Sequence, residues 1–166
     1  MARHKAQATA TSRDPVTTYA RKVISGKIIA GPHVRDACRR HLKDIDEGPA
    51  RGLFFDLDAV KRAVGFFLDV LRLNGGEYEG KPYALLIWQI FIVGSLFGWK
   101  GPDGYRRFRV GYVETGKGSG KSPLAAGIGL YGLVADGEAR AEIYAAATKK
   151  DQAMILFRDA VAMRDL

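Results

Sequence analysis

The chain has little of what defines secreted or membrane proteins. Cys38 is the single cysteine among 166 residues, which excludes an internal disulfide framework and suits a reducing compartment. The most apolar run, residues 84–97, is interrupted by Gln89 and Gly94 and is shorter than the roughly 18 to 20 residues that span a bilayer. The first residues are basic but have no apolar core of a secretory signal. We therefore predict no membrane segment and a disordered tail over residues 1–13.

Basic residues outnumber acidic residues. The chain has 26 Lys and Arg against 18 Asp and Glu, a formal net charge of +8. A basic balance favours a polyanionic partner, and nucleic acid is the commonest. The charges are spread along the chain, so the balance alone identifies no binding surface.

Apolar periodicity and helix-terminal residues predict helices in the first half of the chain. Asp14 before Pro15 is typical of an N-cap followed by proline at the first helical position, and Gly26 ends this helix. Further helices are predicted over residues 33–46, 59–73 and 84–97. The acids Asp56 and Asp58 follow an apolar run as in a Walker B strand. They precede the glycine-rich loop, which is the wrong order for such a strand, so we predict a helix cap there instead.

The second half of the chain alternates strand and helix patterns. Residues 106–115, R-R-F-R-V-G-Y-V-E-T, alternate in polarity as a strand does, and a glycine-rich loop follows directly. Helices are predicted over residues 123–135 and 150–164, with a second strand over residues 141–147 between them. The order strand, loop, helix, strand, helix is typical of the start of a parallel α/β sheet.

The loop T-G-K-G-S-G-K-S, residues 115–122, departs from the phosphate-loop pattern G-x-x-x-x-G-K-[ST] only at Thr115, where the pattern has glycine. Glycines allow positive φ and a close approach of the backbone to phosphate oxygens at a helix N-terminus. We predict that Lys121 reaches the β- and γ-phosphates of ATP and that Ser122 is a ligand of Mg²⁺. The other predicted nucleotide-binding residues of the turn are Gly116, Gly118, Ser119 and Gly120.

Four further stretches, taken in order with this loop, carry a family resemblance. They are V-I-S-G-K-I-I-A-G-P-H-V-R-D-A-C-R-R-H-L, F-F-D-L-D-A-V-K-R-A-V-G-F-F, L-L-I-W-Q-I-F-I-V-G-S-L-F-G-W and I-Y-A-A-A-T-K-K-D-Q-A-M-I-L-F. With them the chain resembles the N-terminal part of the terminase large subunit of tailed bacteriophages. In that family the first glycine of the loop is dispensable, and a basic residue stands three places before Gly-Lys-Ser. Lys117 occupies that position here.

The resemblance implies roles for residues outside the loop. Gln89 would read adenine, with Trp88 or Phe91 packing beside it, and the alternative is a buried helical glutamine. The stretch A-A-T-K-K-D-Q-A resembles the family segment close to the nucleotide, which makes Thr148, Lys149 and Gln152 candidate nucleotide-binding residues. The alternative there is a helix N-cap by Thr148, with Asp151 in the first turn.

The resemblance also implies an activity and partners. The family is the ATP-driven motor that packages double-stranded DNA into procapsids, using ATP and Mg²⁺, with Lys121 catalytic. Its partners would be the portal protein, the small terminase subunit and further copies in a homo-oligomeric ring, in the cytoplasm of a bacterial host. No Walker B acid, catalytic glutamate or nuclease carboxylate cluster follows Ser122, so we expect a front fragment that does not hydrolyse ATP or cut DNA alone.

We therefore predict an α/β fold made of an N-terminal helical region, residues 14–80, and a partial P-loop ATPase domain, residues 81–166. That domain would contain the first part of a parallel sheet with flanking helices. Two alternatives stay open: a non-catalytic nucleotide-binding or protein-interaction remnant, and an unrelated P-loop kinase or ATPase. A kinase would usually begin close to its phosphate loop, whereas more than a hundred residues precede this one.

Overall fold

The computed structural model describes residues 14–165, so the predicted disordered tail over residues 1–13 lies outside the described residues. The chain divides into two compact units, each built from two segments. The first unit combines the described part of Met1–Lys61 with Leu86–Gly111, and the second combines Arg62–Leu85 with the described part of Tyr112–Leu166. The predicted boundary at residue 80, between an N-terminal helical region and a partial ATPase domain, stays a prediction.

The described part of the chain is mixed and helix-rich, consistent with an α/β fragment. Its elements are α1 (Pro15–Ile24), α2 (Pro32–Glu47), a 3-10 helix (Gly48–Arg51), β1 (Phe54–Phe55), α3 (Leu57–Asp69), a 3-10 helix (Gly76–Tyr78), α4 (Ile87–Gly98), β2 (Trp99–Lys100), α5 (Lys121–Val134) and α6 (Lys150–Asp165). Strands β1 and β2 pair antiparallel, with Phe55 opposite Trp99. None of the helices within residues 14–165 has the length and apolarity needed to cross a membrane.

The predicted parallel sheet is not formed by residues 14–165. The segment 106–115 contributes one isolated antiparallel bridge, between Arg106 and Lys100, and the segment 141–147 has no regular secondary structure. In this part of the chain, residues 108–119 and 137–148 make no backbone–backbone hydrogen bonds. Alternating polarity describes the two faces of a strand, but a strand forms only where a second strand pairs with its N–H and C=O groups. Beyond the bridge at Arg106, neither segment has such a partner among the described residues.

Helix termini were predicted well where one side chain determines them. The Asp14 carboxylate accepts a hydrogen bond from the Val16 N–H at 2.8 Å and caps α1. Asp56 accepts from the Ala59 N–H at 2.9 Å at the start of α3, which confirms a capping role for this acid. Helix α3 ends at Asp69, four residues before the predicted end.

Helices α2 and α4 both pack on α1 in the first unit. The closest approach is at Gly94 of α4, where a Cβ would lie 2.4 Å from Cγ2 of Val16. The apolar core of this unit is formed by buried residues from all three helices and from β2: Val16, Tyr19, Ala20, Val23, Cys38, Phe91, Val93, Phe97 and Trp99.

A buried polar chain runs through this core. Trp99 donates its Nε1–H to Nδ1 of His41 at 3.0 Å, so the ring proton of neutral His41 is on Nε2, which lies 2.8 Å from the Thr17 hydroxyl. Thr17 in turn donates to the Asp14 carboxylate. Burial lowers the pKa of His41 to about 4, against the opposing influence of the Asp14 and Asp44 carboxylates.

Asp44 is a buried carboxylate with two arginine partners in the same unit, Arg51 and Arg107. Burial alone would raise its pKa, but the hydrogen bonds from Arg107 and Arg51 hold the pKa below its ordinary value. The Arg107 guanidinium also stacks on Phe108, with Cζ 4.9 Å from the ring centroid, and Arg40 of α2 does the same at 4.9 Å. These contacts hold Arg107 and Phe108 against α2.

The second unit is built around the packing of α5 on α6 and on the C-terminal part of α3. At Gly127 of α5 a Cβ would lie 2.3 Å from Cε1 of Phe67, so the ring occupies the space that any side chain at this position would need. Phe67 also packs edge-on against Tyr83, with ring centroids 5.3 Å apart, and Phe66 packs in the same way against Tyr131 at 5.4 Å.

The close approach at residue 127 predicts that alanine destabilises the protein more at Gly127 than at Gly132 of α5. Gly127→Ala should destabilise the protein by about 1 to 2 kcal/mol, because overpacking costs about 1 to 3 kcal/mol and the better helix propensity of alanine returns only about 1 kcal/mol. Gly132→Ala is the matched control, since its Cβ would make an ordinary 3.6 Å contact with Ile143 and should be neutral or stabilising. Thermal unfolding of the two variants compares them directly, and equal effects would contradict this packing.

The lowered pKa of His41 predicts that acid weakens the first unit. In the folded protein the pKa of His41 is about 4, below the ordinary 6.5. The contribution of neutral His41 to the free energy of unfolding is therefore complete above pH 6.5. It is lost as the pH falls from 6.5 toward 4. The expected loss is about 2 kcal/mol between about pH 7.5 and about pH 5. Asp44 contributes in the same direction but only at lower pH, near its ordinary value of 3.8.

Denaturant unfolding followed by tryptophan fluorescence measures this loss, because Trp88 and Trp99, the two tryptophans of the chain, both belong to the first unit. His41→Gln should flatten the pH dependence, whereas His33→Gln, which removes an exposed histidine, should leave it in place. A flat wild-type profile would contradict a neutral, buried His41.

Candidate nucleotide-binding site

The glycine-rich loop lies in the second unit, immediately before α5. Gly118 and Gly120 have φ values of +81° and +75°, which residues with a Cβ rarely adopt. Gly120 is the N-cap residue of α5, and its carbonyl accepts the Leu124 N–H at 3.1 Å. The loop therefore leads into a helix N-terminus, where the dipole is positive and the first N–H groups have no acceptor within the helix.

Lys121 is folded back over the loop. Its Nζ donates to the Thr115 carbonyl at 2.8 Å and to the Gly116 carbonyl at 2.9 Å. The Ser119 hydroxyl donates to the same Gly116 carbonyl at 2.8 Å, and Thr115 Oγ1 lies in hydrogen-bond contact with Ser119 Oγ. The lysine ammonium is exposed and stays at the loop beside the positive helix end, an arrangement suited to an anion.

The next residues fit a magnesium-bound phosphate chain in their chemistry. Ser122 is half-buried in the first turn of α5, and its hydroxyl has no protein partner within residues 14–165. Pro123 has no N–H, so one of the free donors of this turn is missing. Among the described residues no group of three or more His, Cys, Asp or Glu could hold a metal ion. Magnesium usually takes few protein ligands and several from phosphate and water, which one serine hydroxyl satisfies.

Lys117 is exposed in the turn of the loop. The structure places it between Gly116 and Gly118, and among the described residues its ammonium has no protein partner. The family position of this lysine was a prediction from the resemblance, and its contact with nucleotide stays one.

Thr148 and Gln152 also belong to the second unit, at the start of α6. The structure brings the two side chains together: the Thr148 hydroxyl donates to Gln152 Oε1 at 3.1 Å, and both residues are exposed. The N–H groups of Gln152 and Ala153 donate instead to the Lys149 carbonyl, at 3.1 and 3.3 Å. Among residues 14–165 the Thr148 hydroxyl therefore bonds a side chain and no backbone N–H of α6. Asp151 lies in the first turn of α6, which is one half of the helix-cap alternative.

Gln89 belongs to the first unit, in α4, and is 3% exposed. Its Oε1 accepts the Leu86 N–H at 2.8 Å, so this amide satisfies a backbone donor at the start of the helix. Phe91 is a core residue that packs on Tyr19, with ring centroids 5.2 Å apart, and Trp88 is half-buried. Sequence reasoning missed the capping contact, although a glutamine three residues inside a helix is a known signal for it.

The fold and the loop define a helix-rich α/β protein that presents a glycine-rich turn and a lysine at a helix N-terminus. A family model described as "Terminase large subunit, ATPase domain" matches residues 87–164, which is somewhat less than half of the chain. The match includes the loop, α5 and α6, and it confirms the predicted resemblance to the ATPase region of the terminase large subunit. A search of curated proteins and a search of solved structures each found no match.

The adenine contact of Gln89 stays a prediction, and a ratio of affinities tests it. Gln89→Ala should weaken the binding of ATP more than that of inorganic triphosphate, because only ATP carries the base that the amide would pair with. Any loss of α4 stability affects both probes equally, so the ratio removes it. Isothermal titration of both probes against wild type and variant measures this ratio, and equal losses would leave Gln89 with its helix-capping role alone.

Proposed function

We propose that this chain is the nucleotide-binding part of a terminase large subunit, whose ATPase drives double-stranded DNA into procapsids. The observation that carries the proposal is the lysine-bearing glycine loop at the N-terminus of α5, inside the segment that matches the terminase ATPase family. The partners proposed with it follow the family: DNA, the portal protein, the small terminase subunit and further copies in a ring in the host cytoplasm. The net charge of +8 supports a polyanionic partner such as DNA.

The loop would bind the triphosphate of ATP through three kinds of donor. Backbone N–H groups of the turn and of the first turn of α5 would contact phosphate oxygens. Lys121 would exchange its two carbonyl acceptors, Thr115 and Gly116, for β- and γ-phosphate oxygens, a stronger charge-assisted contact. Ser122 would be a ligand of Mg²⁺, which supplies positive charge that neutralises the phosphates during transfer.

The segments 106–115 and 141–147 are proposed to be strand-forming segments of a P-loop sheet, which would need partner strands that residues 14–165 do not supply. Support comes from Ile143, whose side chain lies along α5: a Cβ at Gly129 would be 3.3 Å from Ile143 Cγ2, and one at Gly132 would be 3.6 Å from its Cδ1. Ile143 of the second segment thus packs on the glycine face of α5, as a strand residue does beneath a helix in an α/β layer. A phosphate loop connects a strand with the following helix, which agrees with the place of the first segment before α5.

A non-catalytic nucleotide-binding protein is the second candidate. Its support is a sequence observation, since no acid that could serve as a Walker B residue follows Ser122 at the end of an apolar strand in these residues. The two candidates share the binding site and differ in their partners, because only the terminase proposal includes double-stranded DNA. Binding of double-stranded DNA by the purified chain, measured with Mg-ATP present, separates them.

Lys121→Ala tests the site itself. The variant should lose ATP binding by at least about tenfold, since an ammonium that meets two phosphates contributes about 1.5 to 3 kcal/mol through charged hydrogen bonds. Lys27→Ala, which removes an exposed lysine of the first unit, is the control of equal charge and should bind as wild type does. Titration calorimetry with Mg-ATP gives both affinities. Unchanged affinity in Lys121→Ala would exclude the phosphate-loop assignment.

A further inference from the structure

We propose that Thr115, which stands where the phosphate-loop pattern has its first glycine, is a positioning residue for the loop. Its hydroxyl braces the turn through Ser119 and thereby holds the Gly116 carbonyl, and with it the backbone of the turn, in place. This inference rests on the proposed function and goes beyond it, because the pattern treats position 115 as a site for glycine and assigns a threonine there no role.

The backbone at residue 115 does not need glycine. Among residues 14–165, Arg140 is the one non-glycine residue with positive φ, so Thr115 lies in a region of φ that any residue adopts. The positive φ values of the loop are at Gly118 and Gly120. A threonine at position 115 is therefore free of backbone strain, and its side chain can add a contact that glycine cannot make.

The hydrogen bonds of the loop form a directed chain. The Ser119 hydroxyl donates to the Gly116 carbonyl at 2.8 Å, which uses its single proton, so the contact between Thr115 Oγ1 and Ser119 Oγ has Thr115 as the donor. The alternative direction would leave Thr115 to donate to the Gly116 carbonyl at 3.3 Å, a longer bond. The Gly116 carbonyl also accepts from Lys121 at 2.9 Å, so both of its lone pairs are used.

A hydrogen bond between these two hydroxyls matters because the backbone of the loop makes few hydrogen bonds of its own. Three of its residues are glycine, and glycine loses more conformational freedom on ordering than any other residue. Residues 108–119 make no backbone–backbone hydrogen bonds in the described part of the chain. Thr115 and Ser119 are both half-buried, while Gly116, Lys117 and Gly118 between them are exposed. The hydroxyl pair therefore closes the base of an exposed turn, which pre-organises it for an anion.

The test compares three substitutions of Thr115 in the full chain, with Mg-ATP and inorganic triphosphate as probes. Thr115→Val keeps the shape and removes the hydroxyl, and Thr115→Gly restores the standard pattern. Both should bind the two probes about three- to tenfold more weakly, the usual range for one hydrogen bond. Thr115→Ser keeps the hydroxyl and should bind within about twofold of wild type. If the pattern glycine were the better residue, Thr115→Gly would bind as tightly as wild type or more tightly, which would overturn the proposal.

A double substitution identifies the partner. Ser119→Ala should weaken binding, and adding Thr115→Val to it should cost little more, because the two hydroxyls act through one bond. Fully additive losses would mean that each hydroxyl contacts phosphate by itself, which would overturn the brace.

Amide hydrogen exchange without nucleotide separates this inference from the proposed function. In Thr115→Val, but not in Thr115→Ser, the amides of residues 116–120 should exchange faster than in wild type. If the wild-type chain binds no ATP, the proposed function fails, and faster exchange in Thr115→Val still supports the brace while unchanged exchange overturns it. If wild type binds ATP, Lys121→Ala does not, and the Thr115 variants match wild type in both measurements, only the brace fails.

Discussion

Helix α5 lies against the Phe67 ring only because residue 127 has no Cβ, and the loop in the second unit depends on that approach. A methyl group there would come within 2.3 Å of the ring, so the helix would shift or turn. The first residue of α5 is Lys121 and its N-cap is Gly120, so the direction of the helix decides where the last loop glycine and the lysine lie. Three glycines weaken α5 as an isolated helix by about 1 kcal/mol each, and close packing along the same helix compensates for them.

The helices could be predicted because their signals are local. Asp14 and Asp56 are single capping side chains that act within three residues, and the apolar spacing of α1, α2 and α4 is read from one segment at a time. The strands could not, since alternation over residues 106–115 and 141–147 says which faces are apolar but not which backbone pairs with them. The buried chain from Trp99 through His41 to Asp14 joins residues far apart in sequence, and no local pattern signals it.

The glycine-rich loop, too, could be predicted only in part from its sequence. Its glycines, Lys121 and Ser122 follow from the motif, and the structure places them at a helix N-terminus as the motif requires. The contacts inside the loop do not follow from it: the lysine bonds two carbonyls, and two hydroxyls four residues apart meet. Thr115, which the motif marks only as a departure from glycine, thus makes a hydrogen bond that the motif does not predict. The lysine ammonium and the positive N-terminus of α5 lie close together because Lys121 is the first residue of the helix and its side chain folds back over the loop.

The proposed binding of ATP phosphates by this loop is tested by a titration of the isotope-labelled chain with Mg-ATP followed by amide NMR. The largest shifts should fall on the amides of residues 116–122, inorganic triphosphate should reproduce most of them, and Lys121→Ala should abolish them. Saturable shifts located elsewhere in the chain, with residues 116–122 unmoved, would exclude this loop as the phosphate site.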